Sequence, residues 1–116
     1  MELTEGQIRR RYETVSGEHK ERDGLIVLLY GLEKLTRKDI LALTVIDVDL
    51  ERRELRLQRR RRFQGIKKET EQALKRYLQK RREYSPKTDY MVVGKDGKAL
   101  KGLTRILREN KVMGSI

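Results

Sequence analysis

The chain has 116 residues, with 29 Lys or Arg against 18 Asp or Glu, so its formal net charge is +11. The absence of cysteine excludes disulfide scaffolds, thiolate zinc sites and thiol nucleophiles. No apolar run approaches the ~18 residues of a membrane span, and charged residues near Met1 exclude a secretory signal. We therefore expect one cytoplasmic domain over residues 1–116, with no membrane association.

The large positive charge favours polyanions, above all nucleic acid, as partners. The alternative is a heat-adapted (thermophilic) protein, whose surface is rich in Lys, Arg and Glu. Such surfaces usually balance the two signs of charge, and this sequence does not. The imbalance therefore favours the nucleic-acid interpretation.

The first part of the chain, residues 1–43, has the period of amphipathic helices. The first predicted helix ends at Ser16-Gly17, and a second runs from about Glu21 to Leu32. Because the second helix is apolar on most faces, we expect it at the centre of the core. Two residue pairs have the capping-box spacing that begins a helix, namely Thr4 with Gln7 and Thr36 with Asp39.

The hydrophobic period then shortens to two residues, which predicts strands. In the first strand, Asp47 and Asp49 alternate with apolar residues, so we expect both on a solvated face rather than as a catalytic pair. A second strand carries Leu55 and Leu57, and a third spans Phe63–Lys67. The apolar residues expected on the inner face of the first strand are Ile46, Val48 and Leu50.

The helical period resumes over Glu69–Glu83, and Pro86 ends that region. A short strand is predicted at Tyr90–Val93, followed by a Gly94–Gly97 turn and a last helix over about 101–109. With no internal repeat and no linker, the pattern predicts a single α+β domain. Its helices should pack on a small three-stranded antiparallel sheet.

Residue patterns for other chemistry are weak or absent. His19 has no second His or Cys with which to bind a metal, and we expect it to be an exposed loop residue. Gly94–Lys98 lacks the ending of a phosphate-binding loop. We therefore expect no cofactor, no metal and no catalytic residue. The serines that lack the context of a nucleophile are Ser16, Ser85 and Ser115.

The strongest local feature is a run of basic residues between Arg52 and Lys68. Four consecutive arginines, Arg59–Arg62, fall at a predicted hairpin tip, where they cannot all be buried. The arginine fork suits phosphate oxygens, and binding through it should weaken with salt. A solvated charge run is the alternative, and no recognition helix or aromatic stacking platform is evident. The basic cluster includes Arg56, and the candidate binding residues within it are Arg52, Arg53, Arg59, Arg60, Arg61, Arg62, Lys67 and Lys68.

These pieces, in this order, resemble the start of the tyrosine recombinase (phage integrase) catalytic domain. Leu3–Ile8 looks like its opening Leu-Thr-x-Glu-Glu-Val helix, and Arg22–Leu32 like its buried second helix. The best match, Thr36–Leu57, is similar to Arg-x-x-Glu-Leu-Leu-x-Leu-x-x-x-Asp-Ile-Asp-Leu and the β-hairpin that follows. The resemblance covers nearly the whole chain and implies duplex DNA as a partner.

Departures from the family pattern bear on catalysis. Thr36 stands where the family has an arginine that contacts the scissile phosphate, and the neighbouring Arg37 joins the candidate DNA-binding residues. The family's catalytic lysine would fall near Arg60. Its His-x-x-Arg box and nucleophilic tyrosine would follow Ile116, and none of the five tyrosines has the nucleophile's context. The resemblance therefore implies a truncated recombinase domain that binds DNA without catalysis.

Two other functional hypotheses remain. The chain is alternatively a fragment of an active site-specific recombinase that a separate chain completes, or an interaction module unrelated to DNA with a heat-adapted surface. Because the family's domain is larger, we also expect exposed apolar surface. A homo-oligomer, a complementing recombinase chain or repacking of the C-terminal segment would cover it.

Overall fold

The computed structural model describes residues 2–113, so Ser115 and the end of the C-terminal segment lie outside it. It confirms the predicted α+β class, with helices packed on a three-stranded antiparallel sheet. No helix in the described range is long and apolar enough to cross a membrane. The elements are α1 Glu5–Thr14, α2 Lys20–Gly31, α3 Arg37–Ala42, β1 Val48–Asp49, β2 Glu54–Leu57, β3 Arg62–Gly65, α4 Lys68–Arg81 and α5 Thr104–Glu109.

Both predicted capping boxes are confirmed, and they determine where α1 and α3 begin. The Thr4 hydroxyl accepts the Gln7 N–H at 3.1 Å, and the Gln7 side chain accepts the Thr4 N–H at 2.8 Å. Thr36 and Asp39 make the same reciprocal bonds at 3.1 and 3.2 Å. Each box satisfies two backbone donors that the first turn of a helix leaves free.

Helix α2 lies at the centre of the core, as its composition predicts. Residues Leu25–Leu29 are all fully buried, so no face of this stretch meets solvent. The other four helices pack around it. The buried apolar side chains of the described residues form one continuous cluster.

Two glycines of α2 allow α1 to lie close against it. A Cβ at Gly24 would come within 2.9 Å of Tyr12 Cε1. A Cβ at Gly31, seven residues along the same helix, would overlap the Ile8 side chain. The contact between these helices therefore depends on the missing side chains of both glycines.

We expect Gly31→Ala to lower the free energy of unfolding by about 1–2 kcal/mol in urea denaturation. The buried Ile8 side chain must move to admit the new methyl group, and this cost exceeds the gain in helix propensity of up to ~1 kcal/mol. Gly6→Ala in α1 is the control, because its nearest neighbour would be 3.9 Å away. Adding Ile8→Val should recover part of the loss. Unchanged stability of Gly31→Ala would contradict this packing.

Strand β2 is central in the sheet and pairs with β1 and β3. Its Leu55 and Leu57 side chains are buried, and Arg56 between them points outward. After Leu57 the chain makes a 3-10 turn over Gln58–Arg60, and Arg61 adopts a left-handed conformation with φ of +50°. These residues and Arg62, the first residue of β3, form the tip of the β2–β3 hairpin.

The first predicted strand is largely wrong. Only Val48–Asp49 pairs with β2, and Val45–Asp47 forms a 3-10 turn that leaves Ile46 80% exposed. Asp47 is 3% exposed rather than on a solvated face. Its carboxylate accepts the backbone N–H and the hydroxyl of Thr44, both at 3.0 Å. These local bonds turn the chain and break the alternation that the sequence pattern suggested.

Two other strand predictions change in detail. The third strand spans Arg62–Gly65 instead of Phe63–Lys67. Residues Tyr90–Val93 form isolated bridges, Thr44 with Tyr90 and Val93 with Ala99, instead of a strand. The buried Arg81 explains the second difference, because its guanidinium takes the carbonyl oxygens that a ladder would use. It donates to Thr88 at 2.6 Å, Tyr90 at 2.7 Å and Met91 at 3.0 Å.

Candidate nucleic-acid interface

Eight of the basic residues singled out from the sequence form two groups at opposite ends of β2. Arg59–Arg62 lie at the hairpin tip, which follows β2. Arg52 and Arg53 precede β2, and Lys67 and Lys68 follow β3 at that same end of the ladder. The four residues of β2 separate the groups by about 16 Å, at a rise of ~3.3 Å per residue. The structure therefore does not gather all of them into one patch.

One buried carboxylate pairs with two of the four arginines at the tip. Asp39 of α3 accepts Arg60 Nη2 at 2.7 Å and Arg59 Nη1 at 3.3 Å. Arg61 has no carboxylate within ion-pair distance among residues 2–113, and Arg62 approaches only the Gln64 side chain, at 3.5 Å. The tip is consequently fixed to the body of the protein through two arginines, and it presents the other two to solvent.

The environment of Asp39 favours its charged form. Burial acts to raise the pKa of this carboxyl, but the hydrogen bonds from Thr36 and the charge and hydrogen bond of Arg60 outweigh burial. The pKa of Asp39 therefore lies below its usual value. Because the carboxylate stays ionised in the folded protein, the ion pairs with the tip persist at neutral pH.

Acid should weaken the contact between α3 and the hairpin tip. The unfolded chain binds a proton at Asp39 near pH 3.9, whereas the folded protein binds it only at lower pH. Its contribution to stability is thus present above about pH 4 and is lost as the pH falls through the folded-state pKa. In urea denaturation, the wild type should lose more unfolding free energy between pH 7 and pH 3 than Asp39→Asn. Equal losses would contradict the assignment.

A second buried carboxylate fixes the start of the tip. Gln58 Nε2 donates to Asp47 Oδ1 at 2.9 Å. Sequence reasoning missed this contact, although Thr44 and Asp47 repeat the spacing of Thr36 and Asp39. That repeated Thr-x-x-Asp pattern was the feature of the sequence that could have indicated the local hydrogen bonds of Asp47.

The outward face of the hairpin combines positive charge with an aromatic ring. Arg56 and Phe63 are directly opposite in the ladder, on the side facing away from the core. Together with three residues of the tip they line an open groove of about 570 Å³. The sequence pattern missed this feature because it placed Phe63 in a strand without specifying its face. The lining residues are Arg56, Gln58, Arg61, Arg62 and Phe63.

Arg37 lies apart from the hairpin tip contacts. It is the first residue of α3, and its exposed guanidinium donates to the Thr104 hydroxyl of α5 at 2.6 Å. The neighbouring Thr36 uses its hydroxyl and backbone N–H in the capping box. The structure therefore joins Arg37 to α5 rather than to Asp39.

At the opposite end of the sheet, the buried Glu33 fixes the start of α4. Its carboxylate accepts the Lys67 N–H at 3.0 Å and the Thr70 hydroxyl at 2.6 Å. Its backbone carbonyl accepts Gln64 Nε2 at 2.9 Å. The side chains of Lys67 and Lys68 remain exposed, since only the Lys67 backbone takes part.

His19 lies in the turn before α2, as predicted, but the prediction that it is exposed is wrong. It is half-buried at the start of α2, and its Nδ1 lies 2.7 Å from the Tyr84 hydroxyl. His19 and Arg22 have His-x-x-Arg spacing, but Arg22 is buried and donates to Asp23 at 2.9 Å and to the Val93 carbonyl at 3.2 Å. Neither residue forms a hydrogen bond with the hairpin. Both instead stabilise the packing of the core.

Tyr77 is unsuited to act as a nucleophile. It is fully buried, and its hydroxyl donates to the Met91 carbonyl at 2.7 Å. Burial raises its pKa to about 12. The phenol therefore stays neutral and holds the backbone around Met91.

Solved recombinase structures are similar to this chain, whereas no family model and no curated protein matches it. XerA recombinase superposes with a TM-score of 0.82 at 23% identity, over 95% of this chain and 40% of that one. XerH site-specific recombinase, in a pre-cleavage complex with its difH substrate, gives 0.72 at 18% identity, over 99% of this chain and 38% of that one. The chain thus spans about two fifths of each recombinase. It has a recombinase-like fold, which confirms the fold that the resemblance to tyrosine recombinases implied.

Proposed function

We propose that this chain is a single recombinase-like domain that binds the backbone of duplex DNA through the β2–β3 hairpin and does not cleave it. The observation that carries the proposal is the hairpin tip, where buried Asp39 fixes two arginines and the exposed Arg61 and Arg62 remain unpaired among the described residues. The net charge of +11 supports it. So does the recombinase-like fold, since XerH was solved bound to its difH substrate.

The geometry of the tip suits phosphate recognition. A guanidinium group presents a planar fork of donors that matches phosphate oxygens. Fixing the tip through Asp39 and Asp47 reduces the conformational entropy that binding would otherwise remove. The exposed Arg52, Arg53, Lys67 and Lys68 and the exposed Arg37 would extend the contact along the backbone. None of these groups reads base edges in this proposal, so affinity should depend little on sequence.

The proposed lack of cleavage rests on the residues near the tip. Strand cleavage through a covalent intermediate needs a tyrosine close to cationic groups that stabilise the transition state. Tyr77 and Tyr84 are buried, and the Tyr12 hydroxyl accepts Arg76 of α4 at 2.9 Å. No hydrogen bond in residues 2–113 joins a tyrosine to the arginines of the tip.

Fluorescence anisotropy with a labelled duplex, measured over a range of salt concentrations, tests the proposal. We expect log K to fall linearly with log salt, with a slope of about −0.9 for each phosphate neutralised. A supercoiled plasmid incubated with the protein should show no nicking and no covalent adduct. Absence of binding, binding indifferent to salt, or a covalent adduct would contradict the proposal.

A second candidate function is that of a recombinase fragment completed by another chain. The observation that favours it is that the matched recombinases are more than twice as long as the matched region. Adding a chain that carries the His-x-x-Arg box and the nucleophilic tyrosine should then produce an adduct that neither chain forms alone. Light scattering would detect the complex, or a homo-oligomer of this chain.

Asp39→Asn should strengthen DNA binding at low salt, because two released arginines contribute more than the loss of a fixed tip costs. The change releases Arg59 and Arg60 from their carboxylate, so the slope of log K against log salt should steepen by up to about 2. Asp47→Asn is a matched control, because it alters the net charge equally but its tip partner is Gln58 rather than an arginine. Equal effects of the two substitutions on the slope would show that Asp39 does not restrain the arginines.

A further inference from the structure

Phe63 is an exposed aromatic residue in a basic setting. It is 63% exposed, and it is the only phenylalanine of the chain. A single exposed apolar side chain is ordinary on a protein surface. What distinguishes Phe63 is its position, because every charged side chain lining the groove beside it is an arginine.

The register of the hairpin places the ring and the charges together. Phe63 is directly opposite Arg56 on the outward face, and Arg61 and Arg62 precede it at the tip. No carboxylate lines the groove, although Glu54 lies two residues from Arg56 on the same face. The groove has a volume of about 570 Å³ and is open to solvent.

Most of the Phe63 side chain is open to solvent. Within the part of the chain that the structure describes, Phe63 has no aromatic or cation–π partner. The backbone that carries it is held by the β2 ladder and by the contacts of the tip with Asp39 and Asp47. The ring is therefore presented at a defined place without an internal role.

A ligand for this face needs a flat apolar surface beside negative charge. A nucleotide has both, since its base has a π-face and its phosphates suit arginine. In an intact duplex, neighbouring bases cover those faces, so one aromatic side chain cannot stack on them. An unpaired nucleotide, in a single strand or a bulge, offers a free face.

We infer that the outward face of the hairpin binds an unpaired nucleotide, with the base stacked on Phe63 and the adjoining phosphates held by Arg56, Arg61 and Arg62. This inference rests on the proposed DNA binding and adds a preference for single-stranded or distorted segments. Stacking on one aromatic side chain tolerates any base. The preference is thus for a state of the nucleic acid rather than for a sequence.

Phe63→Trp provides a direct test, because the chain contains no tryptophan. The new indole, excited selectively, should be quenched when a single-stranded oligonucleotide binds, because the base stacks on it. Inorganic polyphosphate should bind through charge and leave the emission unchanged. Quenching by both ligands, or binding of the single strand without quenching, would overturn the inference.

Affinity measurements with Phe63→Leu complete the test. Leucine keeps an apolar side chain but has no ring, and because the site is exposed its urea midpoint should match that of the wild type. We expect affinity for the single strand to fall about tenfold and affinity for an intact duplex to stay within twofold. Equal affinity of both proteins for the single strand would refute the stacking while leaving salt-dependent duplex binding intact. Failure to bind either nucleic acid would reject the proposed function as well.

Discussion

Replacing both Arg61 and Arg62 with glutamine should weaken duplex binding on the order of 50-fold at 100 mM salt. These are the two tip arginines without an internal carboxylate partner in the described residues. If each contacts one phosphate, their loss removes about 1.8 from the slope of log K against log salt. Anisotropy titrations between 50 and 200 mM salt would measure both the affinity and the slope.

The matched control replaces Arg82 and Lys87 with glutamine. Both are exposed and carry the same total charge, but they follow α4 and lie outside the hairpin. The control should therefore change affinity less than about threefold. An equal loss in both double variants would mean that total charge, rather than the hairpin, determines binding.

Arg81→Met should lower the free energy of unfolding by about 3 kcal/mol. Arg81 is 9% exposed and donates to three backbone carbonyls between Thr88 and Met91. Methionine fills similar space but leaves buried acceptors without those donors. Urea denaturation at pH 7 would measure the change.

The neighbouring Arg82→Met is the control, because Arg82 is exposed and its substitution should cost no more than about 0.5 kcal/mol. Arg81→Lys should recover only part of the loss, since one ammonium group cannot reproduce the fork that reaches three carbonyls. Similar stability of Arg81→Met and Arg82→Met would contradict the structural role of Arg81.

Local sequence signals predicted the helices well, because the relevant interactions are short in sequence. Thr4 and Thr36 bond to residues three positions away, and the apolar run of α2 marks a helix surrounded by others. The alternation of apolar and polar residues around Ile46 wrongly predicted a strand, because the Asp47 carboxylate accepts a hydrogen bond from Thr44 and the segment forms a 3-10 turn. In such a segment the side-chain hydrogen bonds outweigh the apolar pattern.

The candidate site was only half visible in the sequence. The run of arginines was evident, but its partner Asp39 lies about twenty positions earlier in the chain. In addition, the capping box with Thr36 already accounted for the Asp39 carboxylate. Local periodicity carries no information on such distant pairs. The exposure of Phe63 was also hidden, because an apolar residue in a short strand is normally expected to face the core.

The contacts of Glu33 determine how ligand binding at the hairpin would affect the stability of the whole molecule. It joins the end of α2 to the first turn of α4 and, through Gln64, to the returning strand of the hairpin. The β2–β3 hairpin is therefore joined to the core and should unfold together with it. By thermodynamic linkage, occupancy of the tip at a hundred times the dissociation constant would protect the entire fold by about 2.7 kcal/mol. Amide exchange should then slow in the central helix as well as in the strands.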